Sequence, residues 1–325
     1  MLAALKTAVP LVHKGPALLN GPEFGLAPPR WLLHRTGSAT ARRSYSAVPK
    51  VRRHYSASSS SGGTEQASSA PVSAYLIRHG QSVWNLAAKQ WDLRGLFSQV
   101  DHPLTPEGVS QAKRLRSAVE AASAAGDSDA SRLLSADSRL LSSPLTRAVA
   151  TSVLAFGTER PMRLVPEARE LCYPIGGPDS IGKATGDAIP KRVVETLAQA
   201  DGKHWLESHA ALSEVLDTSS ARSRWWSGIR ETLATRDARL STLLRKEIRT
   251  AAGPENHPVI LVCHCMVIMR LFKSFTSPAF AAARPDWLAE LRHKKLENCG
   301  VVRVSVGDEG LIDDADLVLN SKLLD

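Results

Sequence analysis

From residue 74 onward, short apolar runs alternate with longer stretches in which apolar residues return at helical spacing, the pattern of an α/β fold. The runs at 74–77, 139–142, 163–165, 259–263 and 301–306 predict strands. Several are apolar without alternation, so both faces are expected to be buried, as in a mostly parallel sheet. Between them, Thr105-Pro106-Glu107-Gly108 opens a helix through 111–122, with Thr105 as N-cap and Pro106 at the first helical position. Pro144 opens a second helix over 145–156, and an apolar helix is expected over 266–272. A long helix is predicted across 221–250, with Trp226, Ile229, Leu233, Leu240, Leu243 and Leu244 as its core stripe. No internal repeat is evident.

Composition divides the chain at about residue 70. The whole has 325 residues, 43% hydrophobic, with no run near the ~18 apolar residues of a membrane span, so no transmembrane segment is expected. The net charge of +9 suggests a nucleic-acid partner until its distribution is read. Residues 1–70 hold nine Lys or Arg against two acids, whereas the rest is nearly balanced, with 32 basic and 30 acidic side chains. No nucleic-acid partner is therefore expected. The first segment, rich in Arg, Ser and Ala and ending in a low-complexity run at 58–63, reads as a targeting presequence and disordered linker, with the second unit spanning 71–325. Its composition predicts a mitochondrial matrix address after presequence removal, with a plastid as the alternative and an address-free basic tail as the plainer one. Arg42-Arg43-Ser44-Tyr45-Ser46 and Arg52-Arg53-His54-Tyr55-Ser56 place the mature start near Ser46 or Ser56. Four cysteines, at 172, 263, 265 and 299, are too few for a disulfide scaffold and lack zinc-site spacing, which implies a reducing compartment and no metal.

Three strand-to-helix junctions carry the candidate chemistry. The first strand runs into Arg78-His79-Gly80, the second into Ser143-Pro144-Leu145-Thr146-Arg147, and the fourth into His264. In an open α/β sheet the carboxyl ends of strands line the ligand crevice, and helix N-termini there present free N–H groups to anions. Arg147 falls near the start of its helix, where the macrodipole disfavours a cation, and a bound anion would remove that conflict. Two Arg and two His at equivalent junctions point to a phosphate-type pocket.

These residues resemble the histidine phosphatase superfamily, in its phosphoglycerate-mutase-like branch. The resemblance rests on Arg78-His79-Gly80-Gln81-Ser82-Val83-Trp84-Asn85, Asp101-His102-Pro103-Leu104-Thr105-Pro106-Glu107-Gly108, Ser142-Ser143-Pro144-Leu145-Thr146-Arg147-Ala148, the His264 junction and Asn298-Cys299-Gly300-Val301. It spans about residues 73–306 and is weak over 175–221. It implies a three-layer sandwich with a mostly parallel central sheet flanked by helices on both faces. It implies His79 as nucleophile, with Arg78, Arg147, His264 and Asn85 around the phosphate, and no metal or other cofactor. Within Pro166-Glu167-Ala168-Arg169-Glu170, Glu170 aligns best with the family's general acid, and Glu167 is the competitor.

Two departures qualify what the resemblance implies. Cys263 and Cys265 flank His264 where small hydroxyl or glycine residues are usual, and Cys265 threatens to crowd the phosphate. The chain has Glu170-Leu171-Cys172-Tyr173-Pro174 where mutases have Glu-Arg-His-Tyr-Gly, which favours hydrolysis of a phosphomonoester, in a small metabolite or a phosphoprotein, over mutase-type transfer. A mitochondrial scaffold that keeps the fold for binding is the third reading. The Gly/Pro-rich stretch 174–190 is expected to shape the specificity pocket.

Overall fold

The computed structural model describes residues 70–172, 177–228 and 231–325. The expected presequence thus lies outside the described residues but for Ala70, as do Tyr173, Pro174, Gly176 and Ile229.

Seven strands form one sheet: β1 (Val72–Arg78), β2 (Arg139–Ser142), β3 (Met162–Leu164), β4 (Leu216–Asp217), β5 (Val259–Cys263), β7 (Val301–Val306) and β8 (Ile312–Val318). Their order is β4-β3-β2-β5-β1-β7-β8. The pairings from β4 through β1 are all parallel, and the one strand that runs against the others is β7, between β1 and β8. A short antiparallel pair, β6 (Lys295–Leu296) with β9 (Leu323–Leu324), stands apart.

The apolar runs lack alternation because each strand face has its own core. Tyr75, Ile77, Leu140, Ile260 and Val262 pack on one side of the sheet. Ala74, Leu76, Leu141, Leu261 and Cys263 pack on the other. The first core is closed by α3 (Pro106–Ala124), α5 (Thr146–Phe156) and α6 (Ala188–Asp201), and the second by the helices Leu233–Thr242, Cys265–Ser274 and Pro285–His293. The chain is therefore a three-layer α/β sandwich with a mostly parallel central sheet.

Thr105 caps α3 as its residue type requires, its side chain accepting from the Gly108 N–H, with Pro106 in the first turn. The long helix expected over 221–250 is corrected. Ser219–Ala221 is a single 3₁₀ turn, and the helix begins at Leu233, where the Thr232 side chain accepts from the Thr235 N–H. It then passes through a π-helical stretch, Leu243–Ile248, and ends at Ala252. Leu240, Leu243 and Leu244 are core, but Leu233 is 60% exposed, and Trp226 precedes the helix and packs edge-on against Trp225.

Candidate active site

The order of the sheet brings the three junctions together. β2, β5 and β1 are adjacent and parallel, with Ser142 opposite Val262 and Arg78 opposite Cys263. Their carboxyl ends lie side by side, so the residues that follow share one crevice. Backbone bonds fix the junctions to each other: the His79 N–H donates to the Cys263 carbonyl (3.0 Å), and the Ser143 N–H to that of Val262 (3.0 Å). Gly80 admits α3 to this corner. A Cβ on Gly80 would stand 2.5 Å from the Gly108 carbonyl oxygen, and one on Gly108 would stand 2.1 Å from that of Gln81, so neither position tolerates a side chain.

His79 is 2% exposed. Its Nδ1 lies 2.6 Å from the Gly80 carbonyl, which only accepts, so Nδ1 carries the proton. Its Nε2 accepts from Arg147 Nε at 3.2 Å. Burial lowers the His79 pKa well below the usual imidazole value, and the charges of Arg147 and then Arg78 lower it further. The ring is therefore neutral at pH 7, with the electron pair of Nε2 facing a guanidinium.

Arg147 is fully buried in the first turn of α5. The residue at the N-cap, Leu145, offers no side-chain acceptor. The cap comes from Asp101, whose carboxylate accepts from the Thr146 N–H (2.8 Å) and Oγ1 (2.6 Å), and from Arg192 Nε (3.2 Å). Asp101 itself sits at φ 52°, a left-handed conformation that is uncommon without glycine. On its other side Arg147 meets Asp179, at 3.1 Å to each carboxylate oxygen and 3.0 Å to the carbonyl. Two carboxylates thus relieve the clash between a cation and the helix dipole that the sequence left to a bound anion.

Arg78 donates to the Leu296 carbonyl (2.7 Å), and His264 Nε2 meets Ser143 Oγ (2.8 Å) with its ring centroid 5.0 Å from that of His79. His264, like His79, is held neutral, first by burial and then by Arg147. Arg78 Nε and His264 Nδ1 are buried without hydrogen-bond partners, and Arg147 Nη1 has only its ion pair with Asp179. Buried groups without partners cost free energy unless something binds them, and these two beside His79 and Arg147 suit an oxyanion. Asn85 lies on α1 (Val83–Gln90), where its side-chain oxygen accepts from the Ser82 N–H as half of a capping box.

Glu170 Oε1 accepts from the Leu171 N–H (2.7 Å). The residue is only part-buried, but its carboxyl is desolvated enough to push the pKa up to about 7, against the opposing charges of Arg147 and Arg78 and with help from Asp179. Glu167 sits on the 3₁₀ turn Pro166–Ala168. Cys263 is buried in the sheet, and the Cys265 thiol lies 3.9 Å from Met269 Sδ. Among the described residues, no cluster of His, Cys, Asp and Glu has an arrangement suited to a metal ion.

The structure brings together His79, Arg78, Arg147 and His264, which sequence reasoning singled out while missing what holds them. Asp101 and Ser143 stood inside recognised motifs without an assigned task. Asn298, whose Nδ2 donates to the His79 carbonyl (2.9 Å), stood there too. A leucine at the N-cap of a helix bearing a buried arginine was a signal that the cap had to come from elsewhere. Asp179 had no such signal.

No curated protein matches the chain. Among solved structures, a phosphoglycerate mutase from Bacillus anthracis str. Sterne is 19% identical with a TM-score of 0.44, over 78% of this chain and 94% of that one. A putative alpha-ribazole-5'-P phosphatase from Escherichia coli str. K-12 is 18% identical at 0.40, over 78% and 96%. A mycobacterial glucosyl-3-phosphoglycerate phosphatase in complex with VO3 is also 18% identical at 0.40, over 78% and 98%. The family profile that matches is that of the histidine phosphatase superfamily (branch 1), over residues 74–175. That segment, about a third of the chain, is similar to the superfamily and holds the Arg78-His79-Gly80 junction, Arg147 and Glu170.

Proposed function

We propose that this chain hydrolyses a phosphomonoester, in a small metabolite or a phosphoprotein, through a phosphohistidine on His79. The observation that carries this reading is a buried neutral imidazole, fixed at Nδ1 by Gly80 and presenting Nε2 among cationic and unpartnered donors. In the first step Nε2 bonds to phosphorus while the ester oxygen leaves and takes the proton of Glu170. In the second, Glu170 takes a proton from water as the water oxygen bonds to phosphorus, which frees Nε2 and releases inorganic phosphate. Arg78 and Arg147 supply the positive field over the equatorial oxygens, and His264 Nδ1 is the further polar group available to them. No step calls for a metal.

Turnover by the purified protein with 3-phosphoglycerate, a panel of sugar phosphates and phosphopeptides, with and without a chelator, tests the reading. Release of inorganic phosphate that the chelator leaves unchanged is expected. Isomerised phosphoester without phosphate release would make the chain a mutase, and no turnover of any kind would favour a scaffold. We further propose that residues 1–70 are a presequence addressing 71–325 to the mitochondrial matrix, on the support of their basic, acid-poor composition.

A further inference from the structure

Arg147 has no exposure to solvent, and each of its three guanidinium nitrogens faces one of two residues. Nε is 3.2 Å from His79 Nε2. Nη2 donates to the Asp179 carbonyl (3.0 Å) and to Oδ2 (3.1 Å). Nη1 lies 3.1 Å from Oδ1, too poorly aligned for a hydrogen bond. The forked face of an arginine is the one that grips an oxyanion in two places. Here a carboxylate from the same chain already fills it, so a substrate phosphoryl group has to compete with that carboxylate.

Two features make the carboxylate exchangeable. Arg147 keeps two anchors without it, His79 at Nε and the Asp179 carbonyl at Nη2, so its direction does not depend on the Asp179 side chain. Among the described residues, the carboxylate is also held by no donor on the side away from Arg147. His102 Nδ1 is buried, has no hydrogen-bond partner and lies 3.5 Å from Asp179 Oδ1, which also lacks one. The His102 ring is held edge-on to Trp84 at 5.3 Å, with Nε2 at 3.4 Å from the Gly95 carbonyl, which only accepts, so the ring proton is on Nε2 and Nδ1 offers Oδ1 no hydrogen.

Resting on the reading of this site as a phosphoryl-transfer centre, we propose that the Asp179 carboxylate is an internal competitor for the phosphoryl group. It occupies the forked face of Arg147 in the free protein and is displaced from it when a phosphorylated substrate binds. A dianionic phosphate monoester displaces it more readily than a singly charged ester, so the exchange also selects for charge.

The test is the affinity of the full chain for inorganic phosphate and for vanadate, by calorimetry and by ligand-induced thermal shift, in the wild type and in Asp179→Asn and Asp179→Ser. Phosphate is expected to bind at least about tenfold tighter to both variants, since a charge-assisted competitor is gone and Arg147 stays anchored. Free of ligand, both variants are expected to melt below the wild type, because a buried guanidinium has lost its counter-charge, and phosphate is expected to restore more of that loss than it adds to the wild type. Should one variant fail to fold, the other carries the comparison. Unchanged or weaker phosphate binding in the Asp179 variants would overturn the proposal and make Asp179 a fixed orienting partner. A wild type that binds neither anion would overturn the functional reading, and the proposal with it.

Discussion

Burial favours the uncharged form of His79 and of Glu170 alike, and the proposed reaction gives the two complementary tasks. The imidazole is left with a free electron pair, while the carboxyl keeps its proton up to about pH 7. In the proposed reaction Glu170 must be protonated to assist departure of the ester oxygen, so kcat/KM for an alkyl phosphate is expected to fall as pH rises through about 7. Glu170→Gln is expected to slow that substrate by about 100-fold and to remove the alkaline limb, while p-nitrophenyl phosphate, whose leaving group scarcely needs a proton, slows far less. Glu167→Gln is expected to give only a small, uniform change, and a selective loss there would reassign the acid. The residues that motifs single out, His79, Arg78, Arg147 and His264, are the ones the structure gathers. Asn85 illustrates the limit of such reading: a motif supplies its position, and only the structure shows its side-chain oxygen engaged in a helix cap. Asp179 escaped because a stretch rich in Gly and Pro shows no periodicity from which to infer what that carboxylate faces.

Among the elements, α5 is the one on which the site depends, since it carries Arg147 and starts with a residue that cannot cap it. Asp101 supplies that cap from a distant loop and also holds Arg192. Asp101→Ala is expected to cost about 2 kcal/mol of stability, the upper end for a lost N-cap, because Arg192 loses its partner as well. It is also expected to raise KM through a displaced Arg147. Denaturant unfolding and steady-state kinetics on the same preparation check both, and loss of neither would show that α5 holds its place without the cap. The buried strands were legible because both faces are apolar, and β2, β5 and β7 run as the pattern predicts. β8 was not, since Ile312-Asp313-Asp314-Ala315-Asp316-Leu317-Val318 sits at the sheet edge and exposes acids. The helix start misplaced at 221 had a similar origin: tryptophans that pack outside the helix prolonged its apolar period, while the side-chain cap at Thr232 sets the true start.

On the scale of the whole molecule, the basic excess belongs to the first 70 residues and the chemistry to the near-neutral remainder. If the first segment is a presequence, the protein isolated from its own cells begins near Ser46 or Ser56, and a major form that retains Met1 would contradict this. Within the remainder, parallel β2, β5 and β1 bring side chains from positions as far apart in sequence as Arg78 and His264 to one corner of the sheet. That corner serves catalysis only if His79 becomes phosphorylated. The direct measurement is to quench the enzyme during turnover of a ³²P-labelled monoester and map the bound label. Label on His79 that is stable in alkali and labile in acid, and absent from His79→Ala, is the result predicted. Full turnover by His79→Ala, or label that maps to another residue, would contradict the assignment of His79 as nucleophile.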